Sequence, residues 1–105
     1  MTPKNYSKKT LESVIVKDII IMLKKEYGGY VLKVHGGMYQ KTGVPDILWW
    51  YKNKSFAFEV KRPVGTYKVT ALQLHTLNEL SKQGVYTAVV RSPKEVEDVI
   101  KNTPL

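Results

Sequence analysis

Cysteine is absent from the 105 residues, so disulfides and thiolate metal sites are excluded and any metal must be held by oxygen or imidazole. Oxygen ligation favours Mg²⁺ or Mn²⁺ over zinc. No window approaches the ~20 apolar residues needed to cross a bilayer, and the opening Met-Thr-Pro-Lys-Asn-Tyr-Ser-Lys-Lys has no signal-like apolar stretch. An intracellular protein with no membrane partner is expected. No internal repeat, linker or low-complexity tract divides the chain, and a hydrophobic fraction of 43% suffices for the modest core of one small domain. Acidic residues are also scarce, nine against seventeen basic, for a net charge of +8. Three of the nine, Glu95, Glu97 and Asp98, fall in the last expected helix, so the rest of the molecule is more basic than the average. Such a field draws polyanions, of which nucleic acid is the commonest in a cell; a lysine-rich surface serving only solubility is the plainer alternative.

Hydrophobic spacing predicts a helix over residues 10–26, with Leu11, Val14, Ile15, Ile19 and Met22 in phase, Thr10 as N-cap and Gly28-Gly29 as terminator. Ile20, Ile21 and Leu23 widen the stripe and imply cover on more than one side. Tyr30–Val34 reads as a strand and His35–Val44 as a glycine-rich loop, followed by strands at about Asp46–Tyr51 and Ser55–Lys61 joined by a Lys52–Ser55 turn. After a loop at Arg62–Val69, a helix over 70–83 carries Leu74, Leu77 and Leu80 on one side and stops at Gly84. Val85–Arg91 is apolar enough to sit inside the sheet, and Ser92-Pro93-Lys94-Glu95 starts a last helix with its own capping signals. The order α-β-β-β-α-β-α describes one mixed α/β sandwich, with the third and fourth strands parallel across a right-handed helical crossover. Residues 1–9 read as a basic arm and 10–105 as the domain.

The chemistry concentrates in residues 43–61. Side chains alternate along a strand, so Phe56, Phe58 and Val60 face one way while Ala57, Glu59 and Lys61 face the other. If the preceding strand pairs with this one, Asp46 arrives beside Glu59. Two carboxylates sharing a site repel unless a cation lies between them. A turn aspartate after Pro45 and a solvated Glu-x-Lys pair are the ordinary readings of the same residues. The apolar setting Phe-Ala-Phe-Glu-Val-Lys weighs against them, because charge on a buried strand costs several kcal/mol unless paired or metal-bound.

Gly43-Val-Pro-Asp46 followed by Glu59-Val-Lys61 resembles the signature of the PD-(D/E)xK nucleases. With Arg62-Pro63, Gln73 and Val89-Val90-Arg91-Ser92, the chain resembles the virus-type replication-repair nuclease (VRR-NUC) branch from about Thr10 to Ile100. The resemblance implies a restriction-endonuclease-like fold in which Asp46, Glu59 and the main-chain carbonyl of Val60 hold Mg²⁺ or Mn²⁺. It gives Lys61 the attacking water, and it adds Glu12 from the first helix and Gln73 from the second to the catalytic set. Thr70-x-x-Gln73 is equally a capping box, and Glu12 lies where a helix dipole favours negative charge whatever its function. His35 stays outside the set. Lys33, Lys41, Arg62 and Lys68 flank the site in sequence and are the candidate DNA contacts. Trp49 and Trp50 must face opposite ways on their strand; packing is the ordinary reading and base stacking the alternative.

The combined reading is a metal-dependent endodeoxyribonuclease selective for DNA structure. The resemblance extends this to a homodimer acting on branched DNA such as four-way junctions. A DNA-binding module without catalysis and a subunit of a larger nuclease complex are the rival readings.

Overall fold

The computed structural model describes residues 6, 7, 9–34, 43–63 and 68–105. The amino-terminal helix α1 spans Glu12–Met22 and continues into a π-helical turn, Leu23–Tyr27, closed by the Gly28 N–H on the Leu23 carbonyl at 2.8 Å. Strands follow at β1 (Tyr30–Lys33), β2 (Ile47–Tyr51) and β3 (Lys54–Val60). Helix α2 (Ala71–Lys82), strand β4 (Tyr86–Val90) and helix α3 (Pro93–Lys101) complete the expected α-β-β-β-α-β-α order.

The four strands form one mixed sheet in the order β1-β2-β3-β4. β1–β2 and β2–β3 are antiparallel, and β3–β4 is parallel, as a helical crossover requires. The register sorts side chains onto two faces. On one, Val31, Trp49, Phe56 and Tyr86 form a continuous cross-strand row. This is the core face, where Ile15, Ile19 and Met22 of α1 and Val96 and Ile100 of α3 pack with Trp49, Phe56, Phe58 and Val60. The Trp49 ring stacks on Tyr51 at 4.8 Å, and its Nε1 donates to the Gly28 carbonyl at 2.8 Å, pinning the exit of α1 to β2. α2 packs on the β3–β4 side of the opposite face, with Leu77 buried.

Several details depart from the sequence expectation. Thr10 does not cap α1: Leu11 holds that position without a side-chain bond, and the Thr10 hydroxyl instead accepts the Ser7 N–H at 2.9 Å. Of the three residues that widen the α1 stripe, Leu23 is buried and Ile20 packs against the core, whereas Ile21 is 48% exposed. Leu74 is 52% exposed; Leu77 and Leu80 point inward, a narrower stripe set by packing against only two strands. β4 is an edge of the sheet among the described residues, not an inner strand. Its apolar run reflects cover from α3 on one face and α2 on the other, which a continuous hydrophobic pattern reports equally well. The β2–β3 turn is tighter than expected. Tyr51 pairs with Lys54, leaving Lys52 (φ 50°) and Asn53 (φ 62°) as a two-residue loop whose left-handed backbone matches strand twist. Within the expected arm, Tyr6 packs against the core and its hydroxyl donates to Asp18 of α1 at 2.7 Å.

Gly29 is required at the α1–β1 junction. Its φ is +79°, and a Cβ there would lie 2.3 Å from the Trp50 carbonyl oxygen. Gly84 has a similar φ of +89° but open space around it. Both alanine substitutions carry the left-handed penalty of about 1 kcal/mol. Gly29→Ala is expected to cost roughly 2 kcal/mol more, because backbone must move to admit the methyl group. Urea unfolding of the two variants measures the difference; equal losses would show that the junction is not tightly seated.

Candidate active site

The site is built where β2 begins and β3 ends. Continuing the β2–β3 register one step past Ile47↔Phe58 sets Asp46 opposite Glu59. The backbone enforces this: the Asp46 N–H donates to the Phe58 carbonyl at 3.1 Å, and the Val34 N–H donates to the Asp46 carbonyl at 2.9 Å. Pro45 is fully buried just before it. Gly43, at φ +89°, lets the incoming loop lie against α2, since a Cβ there would meet Leu72 Cγ at 2.9 Å. The Asp46 side chain then reaches across, and its Oδ2 accepts the Val60 N–H at 2.7 Å. In a strand the N–H and C=O of one residue point to the same side. The Val60 carbonyl therefore faces the edge on which Asp46 sits.

Glu59 is 3% exposed and Lys61 8% exposed. Lys61 Nζ lies 3.8 Å from Glu59 Oε1, and the Lys61 N–H donates to the Val90 carbonyl at 3.0 Å, which anchors its backbone to β4. Glu59 Oε2 is buried with no hydrogen-bond partner among the described residues. Burial, then the neighbouring Asp46 charge, push the Glu59 carboxyl from 4.5 up to about 7 against the opposing pull of Lys61, with Glu12 adding a smaller push. Burial also raises Asp46, opposed by the Val60 N–H and by Lys61. An orphaned buried oxygen beside a second carboxylate, with only one ammonium between them, is a donor set suited to a hard divalent cation. Asp46, Glu59 and the Val60 carbonyl would hold it. Among the described residues no group of three or more acidic or imidazole side chains is arranged to ligate a metal, so Glu12 acts on Glu59 at longer range.

The other expected residues divide. Glu12 is half-buried in the first turn of α1 and lies on the Glu59 side of the molecule. Gln73 makes the capping box in full: its N–H donates to Thr70 Oγ1 at 3.1 Å, and its Oε1 accepts the Thr70 N–H at 3.0 Å. Its amide NH₂ is the part left to reach outward. Arg62 follows Lys61 and is half-buried, while Lys68 is exposed just before α2. Lys33 pairs with Ile47 and so belongs to the row on the core face, exposed at the sheet edge and away from the carboxylates. Lys41 and His35 lie outside the described residues. Arg91 enters the sequence reading only through the Val89-Val90-Arg91-Ser92 motif, with no role of its own. Its guanidinium Nη1 donates to the Arg62 carbonyl, tying the segment after Lys61 to the end of β4. Parallel pairing of β3 and β4 was the available signal, because it brings the two strand ends together.

The fold has relatives of known structure. A solved chain titled "VRR_NUC domain" superposes with a TM-score of 0.72 at 26% identity, covering 89% of this chain and 97% of that one. A second, titled "VRR_NUC domain protein", gives 0.65 at 19% identity, covering 89% and 88%. No family model and no curated protein matches the sequence.

The raised carboxyls have a consequence for stability. In the unfolded chain Glu59 titrates near 4.5 and in the folded chain near 7, so between these values the folded state binds more protons. Stability contributed by the site is therefore present below pH 4.5 and falls as pH rises toward 7; Asp46 has the same sign. Thermal melts in EDTA should show this decline, Glu59→Gln should flatten it, and Mg²⁺ or Mn²⁺ should restore the melting temperature at pH 8. A decline that persists unchanged in Glu59→Gln would place its origin elsewhere.

Proposed function

We propose that this chain, which has the VRR-NUC domain fold, is a divalent-metal-dependent endodeoxyribonuclease that hydrolyses DNA phosphodiester bonds and selects its substrate by DNA structure. The observation that carries the reading is the buried Glu59 beside a half-buried Asp46, with Lys61 next to it and one Glu59 oxygen that has no hydrogen-bond partner among the described residues. A divalent ion at that pair would polarise a phosphate oxygen and lower the pKa of a bound water.

The chain's own residues do the rest. Asp46 and Glu59 present their oxygens from two paired strands, held by main-chain bonds on both sides, so little reorganisation is needed when substrate arrives. Lys61 holds a positive charge where the attacking water and the phosphate meet, and stabilises the negative charge that develops on the phosphate oxygens. Its ammonium is kept in place by burial and by the backbone bond to Val90. Glu12 raises the negative potential at Glu59, and the amide NH₂ of Gln73, which the capping box does not use, would orient a water or a phosphate oxygen. Arg62 and Lys68 supply phosphate contacts beside the site, and the excess of basic residues brings the polyanion to it.

A chain of 105 residues has little surface for reading base sequence, which favours recognition of DNA shape. A homodimer with twofold symmetry would offer one site to each of two strands and suit a branched substrate such as a four-way junction.

Incubation with supercoiled plasmid and with junction, flap and linear duplex DNA tests the reading. With Mg²⁺ or Mn²⁺ the wild-type chain should cleave, and Asp46→Ala and Lys61→Ala should each lose at least about 100-fold in rate. Glu12→Ala and Gln73→Ala should lose roughly 10-fold, as supporting groups do. Equal activity in all variants would point to a contaminant, and binding without cleavage to a DNA-binding module. Sedimentation as a monomer at micromolar concentration, with equal cleavage of branched and linear DNA, would remove the dimeric junction reading.

A further inference from the structure

The sheet face that carries Asp46 and Glu59 continues along β2 onto aromatic surface. Tyr30, Leu32, Leu48 and Trp50 share this face by register, as the pairs Tyr30↔Trp50 and Leu32↔Leu48. α2 packs on β3 and β4, and Tyr30, Trp50 and Leu32 are left 63%, 42% and 42% exposed. The two rings lie together, centroids 5.8 Å apart and tilted by 46°. Trp49, the neighbouring indole, is wholly buried, so the exposure of Trp50 follows from strand alternation rather than from fraying.

Burying an indole is worth several kcal/mol of apolar transfer, so one left uncovered beside a second ring is a candidate contact surface. Charge narrows the choice of occupant. The chain carries seventeen basic residues against nine acidic, a net charge of +8. A second copy of the chain would bring the same positive excess, whereas a polynucleotide brings the opposite charge and flat apolar rings.

We propose that Trp50, flanked by Tyr30, is a stacking platform for an unpaired base of the nucleic-acid substrate. Asp46 and Trp50 are four residues apart on β2, about 13 Å at ~3.3 Å per residue. That spans roughly four base steps of ~3.4 Å. A strand whose phosphate lies at the carboxylates thus carries its unpaired bases over Trp50. Stacking is indifferent to base identity but demands an unstacked base, so the platform favours single-stranded or branched DNA over continuous duplex. The inference rests on the nucleic-acid reading of the site, and it gives a physical basis for selectivity by structure.

The test separates binding from cleavage. The intact wild-type chain in EDTA is titrated with an oligothymidylate and with a blunt duplex of equal length, following tryptophan emission and anisotropy. The single strand should quench the exposed-indole emission and the duplex should not. Trp50→Ala and Tyr30→Ala should weaken single-strand affinity about tenfold, with duplex affinity changed less than twofold, and Trp50→Phe should recover most of the loss. With Mg²⁺ or Mn²⁺, the same variants should raise KM for a flap substrate and leave kcat unchanged. Unchanged single-strand affinity in Trp50→Ala, with its melting temperature retained, would overturn the proposal. So would conversion of a wild-type dimer to monomers by Trp50→Ala, which would assign the face to a second copy. Quenching by single strands without cleavage under any metal would leave the platform standing and remove the nuclease reading.

Discussion

Two carboxylates and one ammonium are pressed into one face of a four-stranded sheet, and most of the surrounding architecture serves to keep them there. Glu59 is buried with one oxygen unpartnered, Asp46 spends one oxygen on the Val60 N–H, and Lys61 approaches Glu59 at 3.8 Å. The fully ionised trio carries one net negative charge in a setting that solvates it poorly. A proton on Glu59 relieves this partly, which is why its carboxyl is raised to about 7; a hard cation relieves it more completely. A proton and a divalent cation would compete for the same pair of oxygens.

The strand arrangement explains why such a costly cluster survives. Asp46 is fixed by antiparallel pairing on both sides, through Phe58 in β3 and through Val34 after β1. Lys61 is fixed by parallel pairing with β4 through Val90, and Arg91 closes the same end by bonding the Arg62 carbonyl. The site therefore lies at a point where antiparallel and parallel ladders meet on one strand. Behind it, Phe56, Phe58 and Val60 bury their side chains against α1 and α3. Rotating β3 to release Glu59 would expose that core, so the hydrophobic face holds the charged one in place.

Much of this was legible in the residues. The alternation Phe-Ala-Phe-Glu-Val-Lys defined both faces of β3 without any structural knowledge, and the Asp46–Glu59 register followed from assuming a short hairpin. The capping signals at Thr70 and Ser92 proved true, with Glu95 reaching the Arg91 N–H rather than that of Ser92. The errors have a common cause: a local pattern reports that a residue is buried without reporting by what. The apolar run of β4 suggests an inner strand, whereas helices on both faces cover it at an edge of the described sheet. Leu74 and Ile21 fit their helical stripes by spacing, yet both are exposed. Tyr6–Asp18 and Arg91–Arg62 are contacts between distant residues and leave no local trace.

The two faces of this sheet also divide the burden of stability and recognition. The core face gathers nearly all the buried aromatic surface, including Trp49, and needs no contribution from the β1–β2 half of the opposite face. That half keeps Tyr30 and Trp50 uncovered, at a cost in solubility that the chain's net charge of +8 offsets. Because Asp46, Leu48 and Trp50 alternate on one strand, the charged and aromatic surfaces cannot move independently: a strand slip of one residue would turn all three into the core. A ligand that touched both would meet a rigid spacing set by the backbone, with little ordering entropy for the protein to lose.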